Sequence, residues 1–119
     1  MPPHVSHILL ETQAGFLTRL LAHEPTVVDP VDVSFDDRGR MWVVEMRDYP
    51  FRIGESPRGR IRVLEDADGD AVYEQATVFA DALEMPTSLA LWKDGVVVTL
   101  AGQLVFLRDS DQDLVADEQ

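Results

Sequence analysis

From Val31 onward, apolar and polar positions alternate with a period of two. Val31, Val33 and Phe35 are interleaved with Asp32, Ser34 and Asp36, the pattern of a half-buried strand. Asp36 to Gly39 is a turn signal, and Met41 to Met46 is rich in β-formers, so the stretch predicts a hairpin. Tyr49 to Gly59 carries two prolines and two glycines and reads as a loop. Strands are predicted again at Arg60–Leu64 and Tyr73–Phe79, either side of an acidic turn at Asp66–Asp70. Ser88–Trp92, Val96–Leu100 and Leu104–Arg108 continue the style, joined by turns at Lys93–Gly95 and Ala101–Gly102. Trp42 and Trp92 sit in valine-rich strands and are expected in the core. Residues 5–22 are ambiguous. Ile8, Leu9, Phe16, Leu17, Leu20 and Leu21 fit one helical stripe, while Phe16 to Ala22 also alternates as a strand. Seven or eight short strands joined by tight turns predict an all-β fold.

The pattern repeats. Pro30 and Pro86 are 56 residues apart, as are Gly39 and Gly95. Arg62–Asp70 matches Val105–Asp113 at a shorter offset of 43, because the second copy lacks the Tyr49–Gly59 loop. Repeats of ~40–50 residues, each of about four strands, are the signature of propeller blades. The expected architecture is a partial β-propeller of about two four-stranded antiparallel blades, with blade-like repeats at about 26–80 and 81–119 after a tail at 1–14. Two sheets packed as a small sandwich is the alternative. A closed propeller needs at least four blades, so a piece of a longer protein is expected. Its unpaired edge invites self-association when the chain is expressed alone.

Composition narrows the chemistry. Ten Lys and Arg stand against 22 Asp and Glu among 119 residues, a net charge of −12. Such a chain repels phosphate backbones, so nucleic acid is not an expected partner. With no cysteine, disulfides, zinc–thiolate sites, thiol catalysis and haem attachment within this stretch are excluded. No apolar run approaches membrane-spanning length, and the N-terminus shows no signal-peptide pattern.

Convergent carboxylates suit divalent cations, and two segments arrange them alike. Asp66, Asp68, Asp70 and Glu74 stand at relative positions 1, 3, 5 and 9 of one loop; Asp109, Asp111, Asp113 and Asp117 stand at the same positions of the next. In calcium loops these positions supply oxygen ligands. The first loop keeps Gly69, whereas a glycine at position 6 is replaced by Ala71 and Leu114. The other reading is two solvated acidic turns, in which Asp bonds its own backbone. The second candidate is the strand end Trp42–Phe51, where Glu45, Arg47, Asp48 and Tyr49 bring a carboxylate pair, a guanidinium and a phenol into five positions. They are candidates to bind a polar ligand, with Glu45 and Asp48 the available general bases. The alternative is a strand exit with a local Arg–carboxylate pair and Tyr49 packed on Pro50. His4 and His7 fall in the tail, and no nucleophile elbow, P-loop or dinucleotide fingerprint occurs.

Three stretches together carry a resemblance: His23–Pro50, Gly59–Val98 and Leu104–Glu118. They resemble the membrane-bound dehydrogenase domain family, also described as PVC-type haem-binding CxxCH proteins, which is similar to soluble quinoprotein glucose dehydrogenases. The resemblance implies a six-bladed propeller, a carbohydrate (sugar) dehydrogenase activity, a PQQ-like quinone, a c-type haem domain and the remaining blades as partners in the longer protein, and a periplasmic or extracellular location. It also implies a strand at Phe16–Ala22. The chain departs from the family's DxDGDG loops at Ala71, Gln112 and Leu114, and from its FADGLE at Ala82. A carbohydrate-like small molecule is the implied ligand, and Ca2+ is the ion that the spacing of the two acidic loops suggests. The alternative function is a non-catalytic, calcium-stabilised propeller scaffold for carbohydrate or protein binding. In either case the isolated chain is expected to be inactive.

Overall fold

The computed structural model of the chain describes residues 1–50 and 55–119. The alternating segments form strands, as their β-branched and aromatic content favours. β1 (Pro30–Phe35), β2 (Met41–Glu45), β3 (Gly59–Glu65) and β4 (Gln75–Leu83) make one antiparallel sheet in the order β1-β2-β3-β4. β5 (Ser88–Trp92), β6 (Gly95–Leu100) and β7 (Gln103–Arg108) make a second, in the order β5-β6-β7. The architecture is all-β. The second sheet therefore has three strands where four were expected, and neither sheet closes on itself. The loop expected at Tyr49–Gly59 falls partly on residues 51–54, outside the described residues.

One core lies between the sheets. Trp42, Val44, Ile61, Val63, Phe79 and Leu83 of the first pack against Leu89, Val96, Val98 and Leu107 of the second. The Trp42 and Phe79 rings meet edge-on, 4.8 Å between centroids, a favoured geometry for aromatic pairs. The opposite face of the first sheet has its own small core. There Met41, Val43 and Leu64 are covered by Leu21, Ala22, Val27 and Tyr73. β2 is thus buried along its whole length, which explains why its sequence is a continuous apolar run rather than an alternation.

Register makes the internal repeat concrete. Val33 pairs with Val43; Leu89, 56 residues after Val33, pairs with Val98, 55 after Val43. Trp42 pairs with Val63, and their counterparts Val97 and Phe106 pair likewise, at offsets of 55 and 43. The sequence match of Gly39 with Gly95 is therefore one residue out. The second hairpin turn is one residue shorter, so Gly95 takes the place of Arg40. Asp29 and Met85, each just before a repeat proline, both adopt positive φ, 48° and 45°.

Three further expectations are corrected. Phe16–Ala22 is neither strand nor helix. Phe16 and Leu17 are exposed, while Leu21 and Ala22 act as a strap across the first sheet. The only helix among the described residues is α1 (Pro3–Ile8), which buries nothing, and it is not long and apolar enough to cross a membrane. Tyr73 is not in β4. Its N–H donates to the Leu21 carbonyl and its hydroxyl to that of Gly39, which holds it to the strap, and β4 runs on through an irregularity to Leu83. Trp92 is not core. Pairing with Gly95 turns it to the outer face, where it is 52% exposed.

Candidate functional site

The acidic turns follow β3 and β7. In the first, Asp66 Oδ1 accepts the N–H groups of Gly69 (2.7 Å) and Asp70 (3.2 Å), and Oδ2 accepts that of Ala71 (2.8 Å). Asp70 Oδ1 accepts from Val72 N–H, and Glu74 Oε1 reaches back to Ala67 N–H. The second turn repeats the scheme 43 residues on. Asp109 accepts from Gln112 (2.7 Å), Asp113 (3.2 Å) and Leu114 (3.0 Å), Asp113 from Val115, and Asp117 from both the N–H and the hydroxyl of Ser110. Positions 4 and 6 are left-handed in both: φ is 77° at Gly69 and 67° at Ala71, 64° at Gln112 and 67° at Leu114. Asp in these turns replaces missing ladder partners for the backbone.

The carboxylates converge. One oxygen each from Asp66, Asp68, Asp70 and Glu74 lie within 4.8 Å of one another, as do oxygens of Asp109, Asp111 and Asp117. Asp113, expected in the second set, stands outside it. Electrostatics marks the crowding. The Asp70 N–H lowers the Asp68 carboxyl, but the charges of Asp70, Glu74 and Asp66, with some desolvation, outweigh it and hold Asp68 above its ordinary value. Asp111 is raised likewise: the Asp113 N–H lowers it, and desolvation with the charges of Asp113, Asp117 and Asp109 prevails. Asp66 is pushed up by desolvation, yet the N–H groups of Ala71, Gly69 and Asp70 bring it below the ordinary value. Asp117 is lowered by the Ser110 hydroxyl and N–H. An all-oxygen donor set of this kind, with one member in each turn raised by its neighbours' charges, fits a hard divalent cation such as Ca2+.

The strand-end residues are placed differently. Glu45 is wholly buried. Oε1 accepts Val28 N–H at 2.8 Å, and Oε2 pairs with the Arg60 guanidinium; Arg62 Nε lies 3.7 Å from Oε1. Asp48 is also buried, its Oδ2 taking Met85 N–H at 3.3 Å while Oδ1 has no partner. Arg47 is half-buried, and Tyr49 is exposed. The two carboxylates thus serve different neighbours: Glu45 holds the strap to the sheet, and Asp48 faces the turn before β5. Phe51, at the end of this segment, lies outside the described residues.

Two carboxylates that the sequence left unremarked hold the architecture. Asp32 Oδ2 accepts the Ser88 hydroxyl (2.7 Å) and Leu89 N–H (2.9 Å), joining β1 to β5. Asp36 accepts from the N–H groups of Arg38 and Arg40, the Arg40 guanidinium (2.6 Å) and the Trp42 indole (3.0 Å). The available signal was that Asp32 and Ser88 are 56 apart, the spacing of the repeat. A cavity of ≈ 280 Å3 opens at this end, between Asp36, Arg40, Leu91, Asp94 and Asp109.

A family profile described as Domain of unknown function (DUF7133) matches residues 2–119. No curated protein and no solved structure matches the chain. A match that spans both sheets, both acidic turns and the strap places the whole arrangement in one family: the chain belongs to the DUF7133 family.

Proposed function

We propose that this chain is a cation-stabilised scaffold, a pair of consecutive propeller-type blades whose acidic turns each take a divalent cation, Ca2+ by preference. The carrying observation is the duplication. Two turns at equivalent places in the repeat have the same backbone hydrogen bonds and each gather carboxylates within 4.8 Å. The blade reading is supported by the meandering strand orders, by the passage from β4, at the sheet's far edge, to β5 beside β1, and by the equal registers of the two sheets. Asp68 and Asp111 are raised by their neighbours, and a cation would offset that repulsion.

The resemblance to the membrane-bound dehydrogenase domain family extends the proposal to a longer protein, in which such blades line part of a quinoprotein-like carbohydrate dehydrogenase. The residues described here do not fit a quinone. Glu45 is committed to Val28 and Arg60, and Asp48, buried beside the turn before β5 with one oxygen on Met85 N–H, opens onto no cavity lined for a ring system among the described residues.

Thermal melts of the full chain in EDTA and in increasing calcium test the scaffold. At ten times Kd, one site adds about 1.4 kcal/mol, a rise of roughly 5–6 °C for a chain of this size. Asp68→Asn is expected to shrink the response while leaving the EDTA melt unchanged or higher, since it removes a repelled charge. A wild-type melt that does not move up to ~10 mM calcium, far above the weakest extracellular sites, would sink the cation.

A further inference from the structure

We infer that the strap is the outermost strand of another blade, and that its free edge, Leu17–Ala22, pairs with the third strand of a three-stranded sheet elsewhere in the longer protein. A one-to-one match between the two cores carries this. Met41, Val43 and Leu64 of the first sheet correspond by register to Val96, Val98 and Leu107 of the second: Met41 pairs with Leu64, and Val96 with Leu107. Val96, Val98 and Leu107 share their core with Phe79, Ala80 and Leu83 of β4 and with Ala116, beyond the second acidic turn. Met41, Val43 and Leu64 share theirs with Leu21, Ala22, Val27 and Tyr73. Tyr73 takes the place of Ala116 at the repeat offset of 43, and Leu21, Ala22 and Val27 precede Phe79, Ala80 and Leu83 by 58, 58 and 56 residues.

The backbone agrees. Past the second acidic turn, Ala116 N–H donates to the Phe79 carbonyl at 2.8 Å; past the first, Tyr73 N–H donates to the Leu21 carbonyl at 2.7 Å. The strap thus stands to the first sheet as β4 stands to the second. An outer strand after the acidic turn is a regular part of the repeat, since Gln75 pairs with Glu65 and, 43 residues on, Glu118 pairs with Arg108.

What the strap lacks is a sheet of its own. β4 is paired with β3, whereas no N–H from Leu17 to Ala22 finds an acceptor among the described residues. Such an edge is a template for strand addition. The same gap shows on β1. Leu89, packed under the face of Trp42, Val44, Ile61 and Val63, is 6% exposed, while its counterpart Val33 is 45% exposed; Phe35, the counterpart of the partly buried Leu91, is 52% exposed. The partner therefore brings an apolar sheet face to lie over Val33 and Phe35, and a third-strand edge, without a fourth strand of its own, to take the strap. A ring of blades has no open face only when its first and last members meet, so the partner is the last blade of the same protein. The inference rests on the blade reading, and not on its cations.

A photo-cross-linker placed at Leu17, 98% exposed in the chain alone, tests it in the longer protein. Leu17 lies 58 residues before Gln75, whose partner Glu65 ends the third strand of its sheet. Cross-linked peptides are therefore expected where the third strand of the last blade runs into its turn. Amide hydrogen exchange at Leu17–Ala22 should be at least ~100-fold slower in the longer protein than in the isolated chain. Thr18→Pro and Arg19→Pro alter adjacent exposed positions, which in a strand direct their N–H groups to opposite edges. At least one of them should cut that protection tenfold or more, while both leave the melt of the isolated chain unchanged. Cross-links to any other element, equal exchange in both proteins, or protection insensitive to both prolines overturns the inference, as does a natural product with no sheet beyond β7. The calcium response of the isolated chain is independent of these outcomes, so failure of the pairing and failure of the cation sites are told apart.

Discussion

At the scale of single residues, the acidic turns carry strain that their chemistry does not require. Gln112 and Leu114 hold left-handed φ in the second turn, where the first has Gly69 and Ala71. A side chain in that region costs about 1–2 kcal/mol. Leu114 is compensated by packing against the main core, whereas the exposed Gln112 has no such return. Gln112→Gly is therefore expected to stabilise the chain by about 1 kcal/mol, read as a higher urea midpoint at unchanged slope. A lower midpoint would mean that the turn is not left-handed there. The spacing of the aspartates was legible in the sequence because Asp66, Asp68, Asp70, Asp109, Asp111 and Asp113 bond N–H groups two to five residues ahead and Asp117 reaches back only to Ser110, which is a local matter. The roles of Glu45 and Asp48 were not legible. In sequence they read either as ligand-binding carboxylates or as members of a local Arg–carboxylate pair, and what occupies them, Val28, Arg60 and Met85, arrives from other parts of the fold.

At the scale of elements, two sheets with a common core still need their edges aligned, and Asp32 does this from β1. Its carboxylate is pushed up by desolvation, but Leu89 N–H, the Ser88 hydroxyl and Val33 N–H bring it below the ordinary value. Asp32→Ala would leave Leu89 N–H without its acceptor, at a cost of about 1–3 kcal/mol. Asp32→Asn, which keeps an acceptor oxygen, should restore much of it. Equal losses in denaturant melts of the two variants would show that charge, and not the hydrogen bond, joins the sheets. The strands themselves were readable from period-two alternation or, for the doubly buried β2, from its run of β-formers. Phe16–Ala22 alternates as well, yet forms no strand, because a strand needs a neighbouring edge to hydrogen-bond and this segment crosses the sheet face instead. Trp92 was misplaced for a related reason. Alternation says that neighbours point to opposite faces; which face is inward depends on the sheet opposite.

For the molecule as a whole, net charge and local networks pull in opposite directions with pH. Asp36 is raised by desolvation, but the Trp42 indole, the Arg40 guanidinium and the N–H groups of Arg40 and Arg38 hold it below its ordinary value. A carboxyl depressed in the folded state contributes stability that is present above that value and lost as the pH falls through the folded one. Asp68 and Asp111 are raised, so they relieve repulsion as they take up protons. Without calcium, stability is expected to hold or rise gently from pH 7 to about 5 and to fall below about pH 4. Urea midpoints across this range check it, with Asp36→Asn flattening the acid limb. A loss already complete at pH 5 would contradict the assignment.

The sequence by itself determined the strands, the turns, the repeat and the carboxylate spacing, since each depends on residues within a few positions of one another or on direct comparison of two segments. Only the tertiary structure decided which carboxylates are structural, which sheet face is covered, and that the second hairpin is one residue shorter. Those outcomes turn on long-range burial and register, where a shift of one residue sends every side chain of a strand to the other side of its sheet.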